Sequence, residues 1–212
     1  MNLIFDYDGT IHNSITIYRP AFERAYEYLT SLGLAKERSW NELEIARWLG
    51  YSSKEMWDIF MPSLSKYHKE KCSQIIGETM LKLIDEGRAQ LYTHSTEVLQ
   101  QLKQSGYRLV FLSNCKRSYM NAHMKYFDLE KYFSSFYCTE DFDFKPKYII
   151  FDKIKKDHDG EFIVIGDRYQ DMEIALKHNL KAIGCIYGYG NSQELAFADM
   201  LVSEVKEILA LL

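Results

Sequence analysis

The chain has 212 residues, of which 47% are hydrophobic and 26% are charged. This length suits one large α/β domain or one domain with a substantial insertion, and the globular composition excludes whole-chain disorder, collagen-like repeats and coiled coil. The formal net charge is −4, with no long block of like charge. The sequence therefore predicts no nucleic-acid partner.

Apolar stretches are short throughout the chain. The longest uninterrupted apolar runs hold about five residues, whereas a membrane-spanning helix needs about 20. The first residues, Met1 to Asp6, lack the basic segment and the long apolar stretch of a signal peptide. We therefore expect a cytoplasmic protein with no membrane contact, whose partner is a small substrate.

The first apolar run is followed by a long helical segment. Residues 3–5 predict a strand that leads into the polar loop Asp6-Tyr7-Asp8-Gly9-Thr10. From about residue 15 to residue 87, apolar residues recur three and four positions apart, which predicts helices. Four helices are expected there, ending near Gly33, Gly50, Pro62 and Gly87.

Strands and helices alternate from about Ser95 onwards. Apolar runs predict strands at residues 109–112, 136–138, 162–165 and 181–186, with helices between them and a last helix over residues 202–212. Such alternation indicates βαβ units and an α/β fold with a parallel sheet. The helical segment interrupts this pattern, so we predict a core of residues 1–13 and 91–212 and an inserted all-helical cap of residues 14–90.

Polar side chains follow several of the predicted strands. Ligands of open parallel sheets bind beyond the carboxyl ends of the strands. The residues at those ends are Asp6 and Asp8 after the first strand, Ser113 and Asn114 after the second, Lys145 after the third, and Asp167 and Asp171 after the fourth. We expect these side chains to share one site.

The charge of this site calls for a cation. Four aspartates face one lysine, and crowded carboxylates cannot all stay ionised without a counter-ion. Oxygen ligands select a hard divalent ion, so the sequence predicts Mg²⁺. A lysine beside such an ion suits a phosphoryl group, whose charge must be neutralised before attack.

Each of these features has an ordinary structural interpretation when taken alone. An Asp-x-Asp pair after a strand is often a turn, Ser113-Asn114 can cap a helix, and Lys145 can be a surface lysine. His12, four residues after Asp8, is either a neighbour of that carboxyl or a helix-entry residue. The combination at successive strand ends favours a functional site.

Four segments resemble the four motifs of the haloacid dehalogenase superfamily: Asp6-Tyr7-Asp8-Gly9-Thr10, Ser113-Asn114, Lys145-Pro146 and Gly166-Asp167-x-x-x-Asp171. The resemblance covers essentially the whole chain, and its phosphoglycolate-phosphatase-like branch is the most similar. It implies a Rossmann-like core with a helical cap, and an enzyme that hydrolyses a small phosphorylated metabolite with Mg²⁺. The family's Lys-Pro-x-Pro pattern lacks its second proline here.

The resemblance also implies roles for individual residues. Asp6 would be the nucleophile that forms an aspartyl-phosphate, and Asp8 the general acid and then the base. The carboxylates of Asp6 and Asp167 and the backbone carbonyl of Asp8 would hold Mg²⁺, with support from Asp171 directly or through its neighbours. Phosphate oxygens would be bound by Ser113, Asn114, Lys145 and the backbone amides near Gly9 and Thr10.

Two other functions remain open for this fold. One is a phosphoglucomutase-type phosphoryl transferase, whose cap loop usually reads Gly-x-Ser-Arg, whereas this chain has Gly50-Tyr51-Ser52-Ser53. The other is a non-enzymatic regulatory protein that binds a phosphate ligand, although the expected catalytic residues are all present. Within the cap, Tyr51, Lys54 and Arg47 are the candidates for substrate selection.

Overall fold

The computed structural model describes residues 1–212 and contains one six-stranded sheet. Its strands are β1 (Asn2–Phe5), β2 (Arg108–Ser113), β3 (Phe133–Cys138), β4 (Phe162–Gly166), β5 (Lys181–Cys185) and β6 (Met200–Val202). They lie in the order β3-β2-β1-β4-β5-β6, and every neighbouring pair is parallel. The predicted α/β fold with a parallel sheet is confirmed.

Nine α-helices accompany the sheet. They are α1 (Ile15–Ser31), α2 (Glu42–Ala46), α3 (Ser53–Phe60), α4 (Lys66–Asp85), α5 (Ser95–Gln104), α6 (Arg117–Phe127), α7 (Lys147–Asp157), α8 (Tyr169–His178) and α9 (Ile208–Leu211). The predicted helix over residues 202–212 is wrong at its start. Val202 ends β6, and after a 3₁₀ turn at Val205–Glu207 the helix covers only Ile208–Leu211.

The strands bury side chains on both faces, because helices cover both sides of the sheet. In β1, Leu3 and Phe5 belong to a cluster that includes α5 and α6, while Ile4 belongs to a cluster with α7 and α8. Successive side chains of a strand point to opposite faces, so a strand buried on both sides is apolar throughout. This explains why the short apolar runs predicted the central strands.

Helices α1 to α4 have a hydrophobic core of their own. Fourteen buried residues form this cluster, and among the largest are Phe22, Trp48 and Trp57. All of them lie between residues 15 and 76, and none is part of the two clusters that flank the sheet. This helical layer corresponds to the predicted cap, whose exact boundaries stay a prediction.

The two chain segments that join the helical layer to the sheet run side by side. His12 pairs with Leu91 in an antiparallel bridge, Asn13 N–H donates to the Gln90 carbonyl at 2.9 Å, and Tyr92 N–H donates to the Ile11 carbonyl at 2.9 Å. The start of α1 and the end of α4 therefore lie close together, next to the loop that follows β1. No helix in the structure is both long and apolar enough to span a lipid bilayer.

Candidate active site

The strand order brings three of the predicted site residues to the same edge of the sheet. β1 lies between β2 and β4, so Asp6 after β1, Ser113 at the end of β2 and Asp167 after β4 are at neighbouring strand ends. Asp6 N–H donates to the Ile165 carbonyl at 2.9 Å, which extends the β1–β4 pairing to the nucleophile candidate itself. The rigid sheet thus fixes the backbone of Asp6.

Three carboxylates converge at this edge. Asp6, Asp167 and Asp171 are each 6% exposed or less, and one oxygen from each lies within 4.8 Å of the others. Asp171 comes from the first turn of α8, where its Oδ2 accepts a hydrogen bond from the Arg168 N–H at 3.1 Å. The structure therefore brings together the three side-chain ligands that the sequence analysis selected.

The lysine of the site is Lys147, and this corrects the assignment to Lys145. Lys147 Nζ donates to Asp6 Oδ1 at 2.5 Å and to Asp171 Oδ1 at 2.7 Å, and the residue is 4% exposed. Lys145 is exposed and makes no side-chain contact with the carboxylates. A lysine is almost never buried unless it is paired, so the burial of Lys147 follows from these two ion pairs.

Local backbone geometry explains the difference between the two lysines. Pro146 precedes α7 in an extended conformation, and Lys147 is the first helical residue. Helical side chains lean towards the N-terminus of their helix, which here directs Lys147 back to the sheet edge. Lys145 follows Asp143 and Phe144, both with φ of +55°, in a loop that leaves it in solvent.

Burial and like charge shift the carboxyl groups of this cluster towards protonation. Burial, with the charge of Asp171, raises the pKa of Asp167 to about 7 and raises the pKa of Asp6 well above its usual value. Burial alone would lower the pKa of Lys147, but the charges of Asp171 and Asp6 outweigh it and raise that pKa. Three carboxylates with one ammonium leave two negative charges uncompensated, which matches a divalent cation with oxygen ligands.

Close backbone approaches complete the surroundings of Asp167. Gly9 has φ of +91°, and a Cβ there would lie 2.3 Å from Asp167 Oδ2. A Cβ at Gly188 would lie 2.3 Å from the Asp167 Cβ, so this position also excludes a side chain. The Tyr189 N–H donates to Asp167 Oδ2 at 2.6 Å, and the Thr10 hydroxyl lies 3.4 Å from both Asp6 Oδ2 and Asp167 Oδ1.

Asp8 has different surroundings from the other carboxylates. Its Oδ1 accepts hydrogen bonds from the Tyr119 hydroxyl at 2.7 Å and from His12 Nδ1 at 2.8 Å, while Oδ2 has no hydrogen-bond partner. Burial by itself raises the pKa of Asp8, but these hydrogen bonds and the charge of His12 outweigh it and lower that pKa. The side chain is 19% exposed and lines the cleft below the helical layer.

The two residues after β2 differ in their contacts. Ser113 is 1% exposed at the strand end, as expected for a residue at the edge of the site. The Asn114 side-chain amide donates to the Gly50 carbonyl at 3.0 Å, so it joins the sheet edge to the cap loop. The structure thus gives Asn114 a cap contact in addition to its predicted place beside the substrate.

A cleft of about 1200 Å³ separates the helical layer from the sheet edge. Tyr51 and Lys54 line it, as predicted, and so do Trp48 and Trp57. Lys54 is bound to Asp58 at 2.7 Å. Arg47 is not one of the residues that line the cleft; it is exposed, and its guanidinium carbon lies 4.7 Å from the centre of the Trp48 ring.

Sequence reasoning missed Arg168 as a site neighbour. Its Nε donates to Glu194 Oε2 at 2.7 Å, its guanidinium carbon lies 5.1 Å from the Tyr51 ring, and its Nη1 is buried without a partner. A Cβ at Gly50 would lie 2.8 Å from Arg168 Cγ, so the cap loop rests directly on this arginine. The sequence feature that could have identified Arg168 is its position directly after Asp167 in the fourth motif.

Comparison with known proteins decides the family. The family model for haloacid dehalogenase-like hydrolases matches residues 3–185. The chain belongs to this family. The membership confirms the predicted resemblance, fold and assignment to the hydrolases of the haloacid dehalogenase type. No curated protein matches this sequence at a significant level.

Several solved structures of haloacid dehalogenase-like proteins share the fold at low sequence identity. A predicted phosphoglycolate phosphatase from Haemophilus somnus is 19% identical with a TM-score of 0.82, over 99% of this chain and 96% of that chain. A hydrolase of the same family from Streptococcus pneumoniae is 22% identical with a TM-score of 0.79, over 99% and 97%. CbbY from Rhodobacter sphaeroides, in complex with phosphate, is 20% identical with a TM-score of 0.78, over 98% and 95%.

Proposed function

We propose that this haloacid dehalogenase-like hydrolase is a Mg²⁺-dependent phosphatase that acts on a small phosphorylated metabolite through an aspartyl-phosphate on Asp6. One observation carries the proposal. Asp6 is held by Lys147 within a buried carboxylate cluster, while Asp8, two residues further on, lines the cleft and has one carboxylate oxygen without a hydrogen bond. A nucleophile and an acid–base group are thus placed on one short loop.

The first chemical step transfers the phosphoryl group to the protein. A carboxylate oxygen of Asp6 attacks phosphorus, the ester P–O bond breaks, and the leaving oxygen takes a proton from Asp8. Lys147 fixes the orientation of Asp6, and the Ser113 hydroxyl supports the phosphate oxygens. The Gly9 and Thr10 amides, which the sequence analysis assigned to the phosphate, already donate to carbonyl groups of the same loop. The bound cation would be held by Asp6, Asp167, Asp171 and the Asp8 carbonyl, and would neutralise phosphoryl charge.

The second step releases inorganic phosphate. The carboxylate of Asp8 takes a proton from water, the resulting hydroxide attacks phosphorus, and the bond from phosphorus to the Asp6 oxygen breaks. This restores the Asp6 carboxylate and leaves the proton of the attacking water on Asp8. Splitting the displacement into two steps lets one carboxyl serve as acid and then as base.

The lowered pKa of Asp8 agrees with this cycle. In the free protein Asp8 is ionised at neutral pH, since hydrogen bonds from His12 and Tyr119 hold its pKa below the usual value. A bound phosphate ester adds negative charge beside it, which raises the pKa of a carboxyl. Once phosphate has left, Asp8 therefore loses this proton to solvent, and it gains the acid form again when substrate is present.

The cleft supports a small substrate. Its volume of about 1200 Å³ accommodates a metabolite, and it is lined by Asp8 on one side and by residues of the helical layer on the other. Closing such a layer over the site excludes water from the reacting phosphate. Tyr51 and Lys54 line this cleft, which supports the proposal that they contact the part of the ester that leaves.

A panel of phosphorylated metabolites, assayed with Mg²⁺ and with EDTA, tests the proposed function. We expect phosphate release from p-nitrophenyl phosphate and from at least one small alkyl phosphate, which EDTA abolishes and added Mg²⁺ restores. Asp6→Asn should remove all turnover, because it removes the nucleophile. Full activity after exhaustive chelation, or in Asp6→Asn, would contradict the proposal.

A further inference from the structure

A cluster of aromatic and imidazole rings lies behind Asp8. Tyr7, His12, Tyr119 and His123 form it, and each of these residues is 8% exposed or less. The His12 ring stacks on the Tyr7 ring at 5.2 Å between centres and lies 4.4 Å from the His123 ring. Close packing on these sides fixes the position of the His12 ring.

Only one of the two ring nitrogens of His12 makes hydrogen bonds. Its Nδ1 is 2.8 Å from Asp8 Oδ1 and 3.2 Å from the Tyr119 hydroxyl, whereas its Nε2 is buried without a hydrogen-bond partner. His123 does not serve as a partner, because its Nδ1 is hydrogen-bonded to the Tyr7 hydroxyl at 2.9 Å and its Nε2 is also unpaired. The hydrogen bonds of the His12 side chain are therefore confined to Nδ1, and the shorter of its two contacts there is the one to Asp8 Oδ1.

Tyr119 completes the same arrangement from α6. Its hydroxyl donates to Asp8 Oδ1 at 2.7 Å. Two donors thus converge on one carboxylate oxygen, and they come from separate parts of the chain, the loop after β1 and helix α6. An oxygen that already accepts two hydrogen bonds has no lone pair left for a proton of its own.

We infer that His12 and Tyr119 are positioning residues that reserve Asp8 Oδ1 as an acceptor and so direct the transferable proton to Oδ2, the carboxylate oxygen that accepts no hydrogen bond from the protein. This inference rests on the proposed acid–base role of Asp8. A carboxyl held at one oxygen by two fixed donors cannot rotate its acidic hydrogen away from the substrate. The fold thus holds the acid group in its reactive orientation before the substrate binds.

The test compares two esters that differ in their need for a proton. The p-nitrophenolate leaving group departs without protonation, whereas an alkoxide does not, so general acid catalysis matters only for the alkyl ester. The measured quantity is kcat/KM, which reports the steps up to phosphoryl transfer to Asp6. For each variant, kcat/KM for glycerol phosphate is divided by kcat/KM for p-nitrophenyl phosphate. Partial unfolding or loss of metal lowers both values by the same factor, so it leaves this ratio unchanged.

We expect Tyr119→Phe and His12→Leu each to lower kcat/KM for glycerol phosphate by about tenfold, and for p-nitrophenyl phosphate by less than about threefold. His12→Asn should restore much of the loss, because its amide nitrogen can occupy the position of Nδ1. Tyr7→Phe is the matched control. It removes a buried hydroxyl of the same ring cluster that contacts His123 and not Asp8, so the ratio should stay at the wild-type value.

Asp8→Asn separates failure of the inference from failure of the proposed function. If Asp8→Asn affects the alkyl ester selectively but Tyr119→Phe and His12→Leu affect both esters equally, the positioning role is wrong and the acid role stands. If Asp8→Asn affects both esters equally, the acid role fails and the positioning role with it. Tyr119→Phe keeps the ring and its packing, so it remains informative should His12→Leu fail to fold.

Discussion

Lys147 is the one side-chain cation paired with the buried carboxylates, and its neighbour Lys145 provides a control two residues away. We expect Lys147→Ala to lower kcat on p-nitrophenyl phosphate by about a hundredfold or more, because it leaves Asp6 and Asp171 without their shared counter-ion. Lys145→Ala should stay within about twofold of wild type, since that side chain lies in solvent. Steady-state assays of the purified variants decide between the two lysines.

The opposite pattern, with Lys145→Ala inactive and Lys147→Ala active, would restore the assignment made from the sequence motif. The residue type was predictable, because a phosphoryl site among aspartates needs a cation. Its position was not, because both lysines flank Pro146 and only the start of α7 decides which one faces the sheet edge.

Proton and metal binding compete at Asp167. In the metal-free protein burial raises the pKa of Asp167 to about 7, above its ordinary value of 3.8. A carboxyl whose pKa is raised on folding stabilises the fold while protonated, and that contribution is lost as the pH rises through the folded pKa. With EDTA present, stability should therefore fall between about pH 5 and pH 7.

Added Mg²⁺ should reverse this loss, because the cation replaces the proton as counter-charge. Thermal unfolding in EDTA and in Mg²⁺ should show an increase in Tm on adding Mg²⁺ that is larger at about pH 8 than at about pH 5.5. Asp167→Asn should remove most of this pH dependence. An increase of equal size at both pH values would show that proton and cation do not share the site.

At the scale of elements, the loop between α2 and α3 joins the cap to the sheet edge. Gly50 has φ of +91° and a Cβ there would meet Arg168 Cγ at 2.8 Å, whereas Gly33 has φ of +68° with nothing within 4 Å. Gly50→Ala and Gly33→Ala should each cost about 1–2 kcal/mol of stability through backbone strain. Only Gly50→Ala should also raise KM, since it displaces the cap loop from Arg168 and Asn114.

Unfolding in urea and steady-state kinetics of both glycine variants measure these two effects. An equal rise of KM in both variants, or in neither, would mean that contact between the Gly50 loop and the sheet edge does not contribute to substrate binding.

Most elements of this fold follow from local sequence, and the exceptions have a physical cause. The central strands β1, β2 and β4 are buried on both faces, so their apolar runs identify them. β6 has three residues at the edge of the sheet, with Leu201 56% exposed, and it gives no comparable pattern. The apolar residues after it predicted a helix from residue 202, although Val202 pairs with Cys185 of β5.

At the scale of the whole molecule, the site is assembled from distant parts of the chain. Asp6, Lys147 and Asp171 meet because β1 and β4 are neighbours and α7 packs beside α8 on one face of the sheet. The carboxylates could be predicted from the rule that ligands bind beyond the carboxyl ends of parallel strands. The contact of Asp8 with His12 was one of the two interpretations that the sequence left open for that histidine. The contact of Asp8 with Tyr119 could not be predicted, because Tyr119 lies 111 positions further along the chain.

Both steps of the proposed reaction need Asp6 to carry the phosphoryl group. Acid quenching during turnover of a small phosphate ester, followed by peptide mass spectrometry, measures this directly. We predict one added phosphoryl group on the peptide that contains Asp6, absent in EDTA and absent in Asp6→Asn. A phosphoryl group found on a different residue during turnover would contradict the role of Asp6 as nucleophile. The same conclusion would follow if no peptide carried a phosphoryl group although the kinetics showed a pre-steady-state burst.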